Sequence, residues 1–301
     1  MLSAQHLSGV FPAIPTPVHA DDTIDVDATR TLMRYLLKQG IDGIVPLGGT
    51  GEYGALARAE RIRMAELVVD EAAGAVPVIP GVLDPGYHDA LQAGKEFAAA
   101  GVDGLLVLTP YYTNPTQQGI RDYFMRYADE SPLPILIYEI PYRTRIAIAP
   151  EVLHELSKHE RIIGMKACNT DMWHFLRTVA GVGESFSVLS GEDTLFPLHI
   201  AAGARGGIVV TATLLPTVWR TIHRLATEGR TQDALALHRS LIPLINLAFA
   251  ETNPGPMKSV MDLIGVHAPA MLAPLVQPAA DLSANLRIEV ERQLDRFEWQ
   301  K

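Results

Sequence analysis

The chain has 301 residues, 48% hydrophobic and 20% charged, which excludes a disordered or collagen-like polymer and allows a large core without disulfides or a structural metal. Acidic residues number 34 against 25 basic ones, giving a formal net charge of −9 spread along the whole length; this argues against a general nucleic-acid binder. A lone cysteine (Cys168), no basic N-terminal region and no apolar run near the ~20 residues of a membrane span point to a cytoplasmic protein with no membrane partner.

Eight short apolar runs recur along the chain, at 10–14, 43–47, 76–82, 104–108, 134–140, 162–165, 187–189 and 207–210. Their starts lie 20 to 33 residues apart, the span of a strand, a helix and two short loops. The runs are near-continuous Val, Ile and Leu, as in parallel strands covered on both faces. Segments with helical spacing fill the gaps: 25–38, 57–73, 87–100, 117–129, 150–158, 171–179 and 194–202. In the first of these, Val26, Leu32, Met33, Leu36 and Leu37 take one side, with Arg30, Arg34 and Lys38 on another, and Gly40 supplies a stop. Eight such units predict an α/β fold, a (β/α)8 TIM barrel over residues 1–228, in preference to a doubly wound open sheet. Beyond the eighth helix (216–228), the segments 231–250, 256–264 and 283–297 predict a C-terminal helical extension, residues 229–301, packed on the barrel.

Barrel enzymes place chemistry at the C-terminal ends of strands, where the loops converge on one mouth. Those positions hold Gly48-Gly49-Thr50-Gly51-Glu52, Thr109-Pro110-Tyr111-Tyr112, Tyr138-Glu139, Lys166 and Ser190-Gly191-Glu192-Asp193. No His or carboxylate set has metal-ligand spacing and no glycine loop has a nucleotide-binding ending, so neither a metal nor a cofactor is expected.

Of six lysines, Lys166 alone ends an apolar strand. An ammonium there must be paired or shed its proton, and an uncharged amine attacks carbonyls. Two readings follow: a Schiff-base nucleophile, or a structural lysine paired with Glu192 or Glu139. Tyr138 ends the neighbouring strand, either as packing or as a phenol within reach of Lys166. The glycines around Thr50 let backbone N–H groups approach an anion. Arg143 either binds a carboxylate through its guanidinium fork or is a solvated loop charge. Trp173, Trp219 and Trp299 read as packing or interface residues, and Cys168 as a small buried hydrophobe.

Together with Gly164-Met165-Lys166, Tyr138 to Thr144 and Asn253-Pro254-Gly255-Pro256-Met257-Lys258, these motifs resemble the dihydrodipicolinate synthase / N-acetylneuraminate lyase family of class I aldolases, over essentially the whole chain. The resemblance implies a cytoplasmic homotetramer whose small-molecule substrates are a 2-oxo acid such as pyruvate and an aldehyde. Lys166 would form the imine, with no cofactor besides that covalent link, and Tyr138 would relay protons. Thr50 with the Gly49 backbone would hold the 2-oxo acid carboxylate, and Tyr112 would enter the partner subunit's site. Arg143 would bind the aldehyde's carboxylate, Ile208 would present its carbonyl, and Glu139 would line the substrate site. The pattern departs at Gly49, where synthases carry a hydroxyl residue, at Glu139 and at Arg145. Pro85 stands at the position of the feedback-site asparagine. Condensation of pyruvate with an aldehyde is therefore the leading expectation. Its alternatives are a 2-keto-3-deoxy sugar acid (or hydroxy-oxo acid) aldolase or dehydratase of the same family, and a non-catalytic 2-oxo acid sensor.

Overall fold

A computed structural model describes residues 2–297. Seven parallel strands form one curled sheet: β1 (Gly9–Pro12), β2 (Gly81–Val82), β3 (Leu105–Leu108), β4 (Ile135–Glu139), β5 (Ile162–Ala167), β6 (Ser187–Ser190) and β7 (Gly206–Val209), in the order β1-β7-β6-β5-β4-β3-β2. The sheet edges, β1 and β2, do not stay open. The segment 43–47 sits between them, bridging Ala13 to Val45 and Ile44 to Val78 in parallel. Backbone bonds close the ring on both sides, Val45 N–H to the Pro12 carbonyl at 3.0 Å and Ile79 N–H to the Ile44 carbonyl at 3.0 Å. The fold is the expected barrel, not an open sheet.

Two predicted strands come out weaker than their apolar runs suggest. The run 43–47 forms only those bridges, and 76–82 shrinks to β2. Pro46, Pro77 and Pro80 each remove a ladder donor in this third of the ring. Elsewhere pattern and structure agree: Ile135, Leu136 and Ile137 of β4 are fully buried, covered on both faces.

The outer helices follow their apolar stripes. In the helix Val26–Lys38 the buried side chains are Ala28, Thr29, Leu32, Met33 and Leu36, and Asp25 caps the start by accepting the Ala28 N–H at 2.9 Å. The single helix predicted over 231–250 is two, Thr231–Arg239 and Ile242–Ala248. Pro243 has no N–H to bond the carbonyl of Arg239, so the first helix ends there. The segment 256–264 likewise divides into Gly255–Lys258 and a 3-10 turn, Met261–Ile264, before the closing helix Ala280–Arg296. Trp219 is fully buried, Trp173 is 67% exposed and so does not pack within this chain, and Trp299 lies outside the described residues.

One packing feature gives the fold an acid-sensitive joint. His199, on the helix Phe196–Ala201, is fully buried; it stacks on Phe175 with centroids 3.9 Å apart and shares a 2.8 Å hydrogen bond with the Ser190 hydroxyl. Burial pushes its pKa down to about 4. Its folded pKa lies below the unfolded value of about 6.5, so the unfolded chain takes up the proton first. Stability from this site is present above pH 6.5 and lost as pH falls toward 4, by about 3 kcal/mol at most. Thermal melts from pH 7.5 to 4.5 should show a steep acid-side loss that His199→Gln, which cannot titrate, makes shallower.

Candidate active site

The C-terminal ends of β4 and β5 are in register, with Tyr138 paired to Lys166 and Lys166 in turn to Leu189 of β6. Side chains alternate along a strand, so Tyr138 and Lys166 project together, and Lys166 Nζ stands 4.6 Å from the centre of the Tyr138 ring. Lys166 is only 6% exposed, yet among the described residues no carboxylate lies within ion-pair distance of it. The structural reading, in which Glu192 or Glu139 neutralises it, therefore has no ion pair to rest on. Burial raises the Tyr138 phenol well above its usual pKa, so this hydroxyl works as a neutral donor and acceptor.

Both side chains open into a cavity of about 590 Å³, shared with Gly49, Thr50, Arg143 and Glu192. Arg143, on the short helix Pro141–Thr144, reaches across the glycine turn: a Cβ added to Gly49 would lie 3.7 Å from its terminal nitrogen. Two residues expected at this cavity lie elsewhere. Glu139 alternates with Tyr138 and points behind the sheet, where its carboxylate accepts the Ile148 N–H at 3.0 Å and faces His174 at 3.6 Å. It does not line the cavity. Ile208 is buried in β7 opposite Phe11, and Val210 takes the place on the wall. Tyr112 is 89% exposed, with φ of 71°, outside this chain's own cavity. Cys168 is buried with its thiol 3.3 Å from the Gly191 carbonyl, a packing role. Among the described residues no cluster of His, Cys, Asp or Glu is arranged to hold a metal ion, and no helix is long and apolar enough to cross a membrane.

Sequence reasoning missed the clamp on the glycine turn. Glu52, with φ of 55°, is buried beside Lys258 at 2.6 Å and also accepts the Leu272 N–H at 3.0 Å. Asn253 donates to the Thr50 hydroxyl oxygen at 2.8 Å. The extension also builds one wall of the cavity, through Ile245, Asn246, Phe249 and Thr252. The one available signal was the Asn253-to-Lys258 motif, whose partners lie some 200 residues away.

With this geometry in place the comparisons decide the lineage. The dihydrodipicolinate synthetase family pattern matches residues 6–295. The chain belongs to that family. It is 35% identical over 279 residues to the 4-hydroxy-tetrahydrodipicolinate synthase of Acidiphilium cryptum, covering 93% of this chain and 96% of that one. The solved 4-hydroxy-tetrahydrodipicolinate synthase of Methylacidiphilum fumariolicum superposes with a TM-score of 0.92 at 30% identity, covering 97% and 98% of the two chains. The dihydrodipicolinate synthase of Acinetobacter baumannii, solved in complex with pyruvate, gives 0.91 at 27% identity over 95% and 98%. Family membership thus extends across barrel and extension alike.

Proposed function

We propose that the chain is a lyase that forms an imine between Lys166 and pyruvate or another 2-oxo acid and joins the resulting enamine to an aldehyde. The observation that carries this reading is Lys166 itself: a lysine buried at a strand end, without a carboxylate partner among the described residues, against Tyr138. The amine adds to the keto carbon and water leaves; Tyr138 passes protons to and from the carbinolamine oxygen, a contribution worth roughly 10²–10⁴-fold. Thr50 and the backbone N–H groups of its turn hold the 2-oxo acid's carboxylate. Because Asn253 donates to the Thr50 oxygen, the hydroxyl proton is free to point at that anion. Arg143 binds a carboxylate on the aldehyde. The reaction needs no cofactor beyond the imine.

The relatives' name favours 4-hydroxy-tetrahydrodipicolinate synthase chemistry, with aspartate semialdehyde as the aldehyde. The missing hydroxyl at Gly49 and the polar wall of Asn246 and Thr252 favour a second reading, a 2-keto-3-deoxy sugar acid as substrate. Turnover of the semialdehyde beside a panel of such acids separates them. We further place the protein in the cytoplasm as a homotetramer, with the exposed Tyr112 reaching a partner subunit's site. Borohydride added with pyruvate should leave a reduced adduct on the Lys166 peptide; an unmodified peptide at saturating pyruvate rejects the imine.

A further inference from the structure

Glu139 does not line the cavity, and the fold puts it to another use. Arg143 stands in the cavity wall on the stretch that leaves β4, and it is exposed. Among the described residues no hydrogen bond or ion pair holds its guanidinium. Its place is therefore set by the backbone that carries it. The first half of that stretch is tied to itself. The Arg143 and Thr144 N–H groups both bond the Ile140 carbonyl at 3.0 Å, and the Arg145 N–H bonds the Pro141 carbonyl at 2.8 Å. These bonds shape a turn without attaching it to anything beyond the strand end.

The second half is fastened from outside, by three side chains. Glu139 is fully buried behind the sheet, and its carboxylate accepts the Ile148 N–H at 3.0 Å. His174, on the helix Met172–Gly181, donates from Nε2 to the Ile148 carbonyl at 2.8 Å; a carbonyl can only accept, so that nitrogen carries a hydrogen. The same nitrogen lies 3.6 Å from the Glu139 carboxylate. Gln117 opens the helix Gln117–Glu130 and takes the residues on either side of Ile148. It donates to the Ala147 carbonyl at 2.9 Å and accepts the Ala149 N–H at 2.8 Å. Four consecutive backbone groups are thus bonded as a strand's would be, by side chains from three separate elements. Glu139, at the root of the stretch, grips its far end, with Arg143 between. Burial pushes the Glu139 carboxyl up in pKa, and His174 and then the Ile148 N–H pull it back, so the partners of this clamp also offset the cost of the buried charge.

We propose that Glu139, His174 and Gln117 are positioning residues that hold Arg143 over the cavity for the carboxylate of the aldehyde substrate. The proposal rests on the reading of Arg143 given above and adds what fixes that arginine in place. A guanidinium fork grips a carboxylate through two parallel bonds, so a displacement of about 1 Å weakens it steeply. The imine site does not depend on the clamp, because Lys166 and Tyr138 are set by the register of β4 and β5. Loosening residues 147–149 therefore weakens the hold on the aldehyde and leaves capture of pyruvate as it was.

Steady-state kinetics with pyruvate and aspartate semialdehyde read this split. Gln117→Ala, at an exposed helix end, and Glu139→Ala should each raise KM for the semialdehyde about 10-fold. KM for pyruvate and the borohydride adduct at Lys166 should not change. Glu139→Gln should stay near wild type, since its amide oxygen still accepts the Ile148 N–H. Arg143→Ala should raise the same KM, and adding Gln117→Ala to it should raise it no further. A wild-type KM in Gln117→Ala and Glu139→Ala, beside a raised one in Arg143→Ala, overturns the clamp and leaves the arginine's role standing. Equal losses for both substrates also overturn the clamp, since they mark a general loosening of the fold. An unchanged KM in Arg143→Ala, or no turnover of the semialdehyde by wild type, overturns the arginine's role and the clamp together.

Discussion

Lys166→Ala should abolish covalent capture of pyruvate and lower turnover by roughly 10⁴-fold or more, about 5.5 kcal/mol of transition-state stabilisation. The loss is large because the amine is a bonding partner, and Thr50 and Arg143 are left in the cavity with nothing to act on. Folding should survive: Lys166 has no ion pair among the described residues, and its stem packs beside Tyr138 at the mouth. The expected pairing is therefore an unchanged urea midpoint with lost activity. A variant that keeps wild-type turnover would mean that the chemistry lies elsewhere.

Lys258→Met should have the inverse signature. The pair with Glu52 is sealed from water, with side-chain exposures of 1% and 0%. Burial lowers the Lys258 pKa and Glu52 opposes that shift. Removing one partner strands the other's charge, which costs about 3–5 kcal/mol. The stranded carboxylate keeps the Leu272 N–H as its remaining bond. Urea unfolding should show that loss, and Glu52→Gln combined with Lys258→Met should recover most of it, because the paired replacement leaves no unbalanced charge. Equal stability of the single and double variants would contradict the assignment. Turnover should fall in the single variant, since Glu52 anchors the turn that carries Thr50.

The barrel can be read from the sequence because its signals are local: apolar runs at 20- to 33-residue intervals, helical stripes such as Leu32, Met33 and Leu36, and strand-end polar residues. Lys166 and Tyr138 are found in the same way, as adjacent strand ends. The misplaced residues fail for identifiable reasons. Glu139 follows Tyr138, and one step along a strand turns a side chain to the opposite face. Ile208 rests on the resemblance alone, and its place depends on which groups line the wall. The prolines at 46, 77 and 80 thin two apolar runs that composition reads as full strands. Lys258 gave no local sign of burial, because its partner Glu52 is 206 residues away and no periodicity spans that gap. The wall supplied by Asn246 and Asn253 is hidden for the same reason.

The fastening of Glu52 to Lys258 also sets an order of events during synthesis. The nucleophilic amine leaves the ribosome 92 residues before the ammonium that pins the carboxylate-holding loop. At about 5–20 residues per second, that delay is roughly 5–20 s. Throughout it a nascent barrel carries its reactive lysine beside an unanchored anion seat. Competence arrives near the end of translation, so a message truncated shortly before codon 258 yields a chain that retains the attacking group and lacks the grip on its substrate.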